Sequence, residues 1–319
     1  MRNVTLRQLR AVKAIHESGK IIKAANMLGL TGPAVTLQLQ QLEEELGVTL
    51  FDRLTEGLRP TAAGLAVIEA AETIDERLRI LDDEVEAIAG GRRGTLRLGV
   101  VSTAKYFAPR LMASFSKKFP DISLDLTIGN REEIVTALSG HGLDIALMGR
   151  PPRHIPVESH VFGDHPLVIV GPADHPLAGK REISKEEISR ERFLIRESGS
   201  GTRLSLEIFF SDIPGKLEQL GREMASNETI KQAVMAGMGV AFISAHTIEM
   251  EVELGRLVIL DVVGMPIRRE WFSVWRSDRS FTPAMQTFSH FLKTEGAKFL
   301  PLVRKPYSYQ GLSASTPDG

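Results

Sequence analysis

The sequence predicts an α/β chain built in series: a small helical module, one long helix, then alternating strands and helices. Three observations predict it. Residues 5–64 hold short helical patterns, broken by the tight turn Gly29-Leu30-Thr31 and followed by a hydrophobic and basic hairpin. From residue 61 to about 89 the apolar residues step alternately by four and three. Beyond Thr95, apolar runs of strand length recur between helical stretches, the rhythm of parallel βαβ units.

Thr5 and Gln8 have the spacing of a capping box, opening a helix whose apolar face is Leu6, Leu9, Val12 and Ile15 and which ends at Gly19. Residues 21–28 form a second helix, where Ala24-Ala25 allows a crossing helix to approach closely. Thr31 caps a third, and Pro33 sits in its first turn, where a missing N–H costs nothing. Val35, Leu39, Leu42 and Leu46 face inward, and Gly47 closes the helix. Thr31, Gly32, Pro33, Thr36, Leu37, Gln38 and Gln40 are left facing outward. These first turns carry almost no charge. Small and amide side chains at the start of a helix suit a major groove, whereas a merely solvated face would more often show Lys and Glu. Residues 48–51 and Leu58 read as short strands around Glu56-Gly57, a wing with Arg53 and Arg59 at its base. Arginines there suit phosphate contacts; the alternative is that they are solvated or paired with Asp52 and Glu56.

Thr61 caps the long helix, whose seam is Val67, Ala71, Ile74, Leu78, Leu81, Val85 and Ile88. It covers about three heptads, roughly 40 Å at 1.5 Å per residue. Such a seam packs either on a neighbouring domain or on a second copy. The second reading is preferred, with Ala71, Ile74, Leu78, Leu81 and Val85 at the dimer contact, because a dimer sets two reading helices on successive turns of DNA. Gly90-Gly91-Arg92-Arg93-Gly94 reads as a hinge.

Composition bounds the class. Of 319 residues, 43% are hydrophobic and 25% charged, as in ordinary globular proteins. No apolar run nears the roughly 20 residues of a membrane span, and the N-terminus lacks an export signal's apolar core, so the cytoplasm and no membrane partner are expected. The absence of cysteine excludes disulfides, thiolate metal sites and cysteine redox sensing. With a net charge of -1, any contact with nucleic acid must come from local basic geometry.

Leu6-Arg7-Gln8-Leu9, Ala24-Ala25, Pro33-Ala34-Val35-Thr36, Leu42-Glu43, Leu46-Gly47, Leu50-Phe51-Asp52-Arg53 and Pro60-Thr61-Ala62-Ala63-Gly64 resemble, in order and spacing, the N-terminal signature of LysR-type transcriptional regulators. The resemblance covers nearly the whole chain. It implies a winged helix-turn-helix DNA-binding domain over residues 1–60, and a linker and dimerisation helix over 61–94. It implies an effector-binding domain of two Rossmann-like lobes over 95–305, like a periplasmic binding protein; the tail over 306–319, rich in Ser, Gly and Pro, reads as disordered from its composition. Lobe I would be 95–160 with 267–305 and lobe II 161–266, the chain crossing near His160 and returning near Pro266. Double-stranded DNA, RNA polymerase and self-association as dimer or tetramer are the partners it implies. Gly32 stands where many members have a glutamine that contacts DNA, and Lys20 where many have serine. The DNA contacts expected here are therefore Thr31, Pro33, Thr36, Leu37, Gln38, Arg53 and Arg59.

In the second half, residues 96–101, 122–128, 143–148 and 167–170 read as strands, with helices over 106–118 and 132–138. Ligands of such folds bind beyond the carboxyl ends of the strands. Ser102, Thr103 and Lys105 follow the first strand; Gly129-Asn130-Arg131-Glu132 follow the second; Gly149 and Arg150 follow the third. Gly199-Ser200-Gly201-Thr202-Arg203 and Ser226-Asn227-Glu228-Thr229 open later helices. Singly, such residues are helix caps; together they make a cleft of Ser102, Thr103, Asn130, Arg150, Thr202, Arg203, Asn227 and Thr229 the better reading. Gly237-Met238-Gly239 precedes a strand and makes a poor dinucleotide fingerprint. The repeated Asp-His-Pro-Leu at Asp164 and Asp174 reads as turns, and no catalytic set or metal cluster emerges. Several of these segments, with Met148-Gly149-Arg150-Pro151-Pro152, resemble the LysR branch that controls the Calvin-cycle operon and RuBisCO. That resemblance implies an activator with no resident cofactor, answering to a phosphorylated metabolite or NADPH. The other class considered is a small-molecule enzyme or solute-binding protein with a helical appendage; residues 5–64 argue against it.

Overall fold

The structure is a computed structural model that describes residues 3–54, 57–88, 94–216, 219–279 and 281–302. The chain divides into two compact units, parting near residue 91.

The first unit holds α1 (Leu6–Ser18), α2 (Ile21–Leu28), α3 (Gly32–Leu46), β1 (Phe51–Leu54), β2 (Gly57–Pro60) and α4 (Ala62–Ile88). The capping box forms: Thr5 Oγ1 accepts from Gln8 N at 3.3 Å while Gln8 Oε1 accepts from Thr5 N at 2.8 Å. Gly29 turns the chain between α2 and α3 at φ 63°, a conformation that a side chain would oppose. Thr31 Oγ1 caps α3 through Ala34 N, and Thr61 Oγ1 caps α4 through Gly64 N at 3.0 Å. Leu9, Val12, Ile15, Ala24, Val35, Leu39, Leu42 and Leu50 form the core, to which α4 adds Ile68 and Ala71. The expected first wing strand is displaced. Pairing runs from Phe51↔Pro60 to Leu54↔Gly57, because Glu43 Oε1 takes the Leu50 amide at 2.7 Å and Thr61 N takes its carbonyl. Residues 48–50 are thus a tied connection rather than a strand.

The second unit holds β3 (Gly94–Val101), α5 (Ala108–Lys118), β4 (Ile122–Gly129), α6 (Arg131–Ser139), β5 (Ile145–Met148) and β6 (Val157–Pro172). There follow α7 (Lys185–Ser189), β7 (Phe193–Arg196), α8 (Gly201–Phe209), β8 (Arg222–Met224), α9 (Asn227–Met235) and β9 (Val240–Ser244). The unit ends with α10 (Glu249–Glu253), β10 (Leu257–Leu260), β11 (Ile267–Arg276) and α11 (Pro283–Glu295). One sheet runs through it in the order β4-β3-β5-β11-β6-β9-β7-β8, with β10 also on β6. β3, β4 and β5 are parallel, as are β7, β8 and β9. Between these halves β6 and β11 pair antiparallel from Ile267↔Leu167 to Arg276↔Val157, with an irregularity between Trp271 and Phe272.

Both crossing strands serve two lobes. Phe272, Ser273 and Val274 of β11 pair with β5, while Leu167, Val168, Ile169 and Val170 of β6 pair with β9. Lobe I packs Leu98, Val100, Phe107, Phe115, Trp271 and Phe288. In lobe II, Leu167 and Ile169 face one core and Val168 and Val170 the other, so β6 is covered on both sides there. The expected strand at 167–170 is therefore the last part of a much longer one. Its polar first part, including Asp164-His165-Pro166, is strand rather than turn because β11 pairs with it residue for residue. The second copy of that motif does form a turn, at residues 173–174. The helix expected from Tyr106 starts at Ala108, with Pro109 in its first turn and one turn of 3-10 helix, Ala104–Tyr106, before it.

Candidate anion cleft and nucleic-acid interface

A narrow cleft lies where the two lobes meet. Ser102 and Thr103 reach it from the end of β3, Asn130 and Arg131 from the end of β4, and Gly149 and Arg150 from the end of β5. Ser200, Gly201 and Thr202 enter from the start of α8, His165 from β6 and Arg269 from β11. Ser200 makes no side-chain cap, which leaves the first amides of α8 open to an anion.

Arginine dominates the charge. Burial lowers the pKa of Arg131, and the charge of Arg150 lowers it further. Arg269 is lowered by burial, then by Arg150 and Arg131. Among the described residues none of the three forms an ion pair with a carboxylate. Arg131 Nε is buried without a hydrogen-bond partner, and its Nη2 reaches the Arg150 carbonyl at 3.4 Å. Clustered cations desolvated beside one another repel, and an anion among them relieves all of them together.

Of the eight residues expected in the cleft, Ser102, Thr103, Asn130, Arg150 and Thr202 meet there, and three do not. Arg203 points to a wider adjoining groove beside Glu132 and His154, where Glu207 holds its Nε at 3.0 Å and Glu223 pairs with its Nη1. Asn227 is buried beneath Arg196, accepting from its Nη1 at 2.7 Å. Thr229 is exposed, its hydroxyl 2.9 Å from Ser226 Oγ at the cap of α9. Each sits at a helix start, but its partner lies within its own lobe. Arg131, Arg269, His165 and Ser200 were not among the expected residues. Arg131 and Ser200 lie within segments singled out as strand ends and helix starts, whereas Arg269 and His165 reach the cleft only through the β6–β11 register.

Next to the cleft, polar groups bridge the lobes. Arg196 Nη2 donates to Ser102 Oγ at 3.0 Å, while Glu197 neutralises the guanidinium. The Tyr106 hydroxyl donates to Glu228, and Lys231, paired with Glu228 and Glu251, sits 4.7 Å from the Tyr106 ring centre. Burial raises the Tyr106 pKa, and the Glu228 bond adds to it.

On the first unit, Thr31, Pro33, Leu37 and Gln40 are exposed along α3, with Thr36 and Gln38 half-exposed. Thr36 Oγ1 donates to the Gly32 carbonyl at 3.0 Å. Arg53 and Arg59 are exposed on the paired strands of the wing. On α4, Ile74, Leu81 and Val85 are exposed, the last two by 52% and 55%, and Leu78 is half-buried. Ala71, expected in the same seam, instead belongs to the core formed by α1 to α3. The expected hinge at 90–93 and the tail at 306–319 fall outside the described residues.

A wing-and-helix module followed by a two-lobed sheet with a cationic cleft defines a ligand-responsive, DNA-binding regulator. Residues 6–65 match the bacterial regulatory helix-turn-helix protein of the lysR family, and residues 89–297 match the LysR substrate binding domain. The chain belongs to the LysR family of transcriptional regulators. It is 62% identical over 307 residues to the HTH-type transcriptional regulator CbbR of Sinorhizobium medicae, covering 96% of this chain and 98% of that one. It is 44% identical over 296 residues to the RuBisCO operon transcriptional regulator of Allochromatium vinosum, covering 93% and 98%. Among solved structures, the regulatory domain of Synechocystis CcmR in complex with 2-PG matches with a TM-score of 0.58 at 36% identity, over 63% of this chain and 97% of that one. Full-length CbnR complexed with its target DNA shares the fold, with a TM-score of 0.62 at 22% identity over 91% and 99%. The protein is a DNA-binding transcriptional regulator of the LysR type.

Proposed function

We propose that the protein activates a carbon-fixation operon that includes RuBisCO genes, and that a phosphorylated, anionic metabolite bound between its lobes switches it. The observation that carries the switch is the convergence of Arg131, Arg150 and Arg269 without carboxylate partners, beside the open amides of α8. A phosphate monoester with a second acidic group, such as 2-phosphoglycolate, fits that charge. NADPH, with its phosphates, is the larger anion of the same kind. The likeness to regulators named for the RuBisCO operon supports the target. The protein works by binding rather than turnover, in the cytoplasm, as a dimer through Ile74, Leu78, Leu81 and Val85 that assembles into a tetramer and engages RNA polymerase.

Thr31, Pro33, Thr36, Leu37 and Gln38 read bases in this proposal, while Arg53 and Arg59 hold phosphates. Arg53→Ala should weaken binding to all sequences alike and reduce the salt slope by about one, whereas Gln38→Ala should relax preference at particular base pairs. A changed sequence preference in Arg53→Ala, with general affinity intact, would overturn the assignment. Sequencing DNA that co-purifies from the native host tests the target: recovery of fragments unrelated to carbon fixation removes it. Thermal-shift measurements with 2-phosphoglycolate and NADPH test the switch; no stabilisation by either would count against an anionic effector.

A further inference from the structure

Under the cleft lies a group of rings that the arginines leave without a role. His165 is buried on β6, with Arg269 opposite it on β11. Its ring stacks on Trp271, centroids 4.0 Å apart and planes 17° from parallel. His246 packs against both and accepts a hydrogen bond on Nδ1 from Trp271 Nε1 at 3.0 Å.

The hydrogen bonds decide where the His165 proton sits. Nε2 lies 3.1 Å from Ser244 Oγ, which already accepts from the His246 amide at 3.3 Å. Among the described residues the Ser244 hydroxyl has no acceptor other than Nε2, so it gives its proton there, and the imidazole carries its own proton on Nδ1. That nitrogen is buried without a hydrogen-bond partner. It lies against Gly149, where a β-carbon would fall 2.7 Å from it, and both residues line the cleft. A buried donor without an acceptor is costly, and an anionic oxygen in the cleft would satisfy it.

We propose that His165 is a ligand-binding residue of this cleft, donating Nδ1–H to an anionic oxygen and becoming an imidazolium as the anion arrives. The inference rests on the reading of the cleft as an anion site. The second proton comes from solvent and settles on Nε2, with the Ser244 hydroxyl turning to accept it. The charges that share the cleft with His165 are Arg269 from β11, Arg131 at the start of α6 and Arg150 after β5. His246 follows β9, where burial lowers its pKa, and the exposed Asp164 acts on it. In the empty cleft, burial, then His246 and then Arg269 hold His165 neutral, well below its ordinary range. An anion offsets the positive charge around His165 and favours its protonated form.

Sulfate is the probe, because its charge is fixed across the neutral range. The full chain is titrated with it by calorimetry in two buffers of different ionisation enthalpy. Binding to the wild type should take up a proton, and affinity should tighten by up to about tenfold per pH unit lowered. His165→Phe keeps a ring on Trp271 and should bind at least about tenfold more weakly without proton uptake. His165→Asn restores a donor near Nδ1 and should regain part of the affinity, still without uptake. Arg269→Ala should weaken sulfate binding, which separates the cleft from the DNA-reading surface. Sulfate binding to the wild type with no proton uptake overturns the proposal and leaves the anion cleft standing, as does uptake that persists in His165→Phe. If that variant does not fold, the wild type and His165→Asn decide. No sulfate binding at all removes the anion cleft and this inference together.

Discussion

Single residues separate two kinds of arginine in this protein. Arg203 has two carboxylate partners, while Arg269 has cations for neighbours. A charge-assisted hydrogen bond to a ligand contributes about 1.5–3 kcal/mol, so Arg269→Ala should weaken 2-phosphoglycolate binding roughly 10- to 150-fold. Arg203→Ala should change it by less than about twofold, the pair being partly solvated. Calorimetric titration of both variants checks this, and equal losses would refute the distinction. The sequence could announce an arginine after a helix start but not its partners. Glu207 lies one helical turn on, yet Glu223 comes from a separate strand. Arg269 sits among charged residues in Arg268-Arg269-Glu270, which reads as a solvated edge until its partner strand is known.

Among the elements, the helices with end signals and a periodic face were legible. α1 shows its cap, face and terminating glycine in the sequence, and α3 shows Thr31, Pro33 and the buried Val35, Leu39 and Leu42. β6 was not legible over its first part, because Glu158, Ser159 and Asp164 interrupt any apolar pattern; the pairing with β11 makes it a strand. Nor did the heptad seam of α4 reveal its divided use: the buried Ala71 serves the helical core, whereas Leu81 and Val85 stay exposed. Leu81→Glu should therefore dissociate the proposed dimer without unfolding the reader; sedimentation velocity with circular dichroism measures both, and a fully dimeric variant would show that the seam pairs elsewhere. The bridge from the turn at Tyr106 to α9 gives a second expectation. Tyr106→Phe keeps the ring under Lys231 but removes the bond to Glu228. It should cost about 1 kcal/mol and speed amide exchange around residues 104–107, with DNA affinity unchanged. Unaltered exchange there would mean that the ring alone holds the lobes.

At the scale of the whole molecule, the alternation of strands and helices was enough to predict a lobed α/β sheet, but the joining of both lobes in one sheet depends on two long strands. The histidines buried at that junction make stability depend on pH. Burial lowers the His246 pKa from 6.5 to about 4, so the unfolded chain binds the proton more readily than the fold. Stability from this group is full above its unfolded pKa and is lost as pH falls toward the folded one, about 3 kcal/mol in all. His165 acts in the same direction. Urea denaturation at successive pH values, compared with His246→Gln, should show a flatter acid limb in the variant; identical limbs would exclude His246 as the cause. One consequence concerns the order of synthesis. The core of the DNA reader is complete by Ala71, and the parallel strands of lobe II are complete by Ser244. Lobe I, although begun earlier, takes Trp271, Val274, Met285 and Phe288 from the end of the chain. A ribosome that stops before Ile267 therefore releases a chain with a whole reader and an unfinished lobe I. Such a fragment would keep the reader but lack the completed cleft, so a nonsense mutation late in this gene should act dominantly over an intact copy.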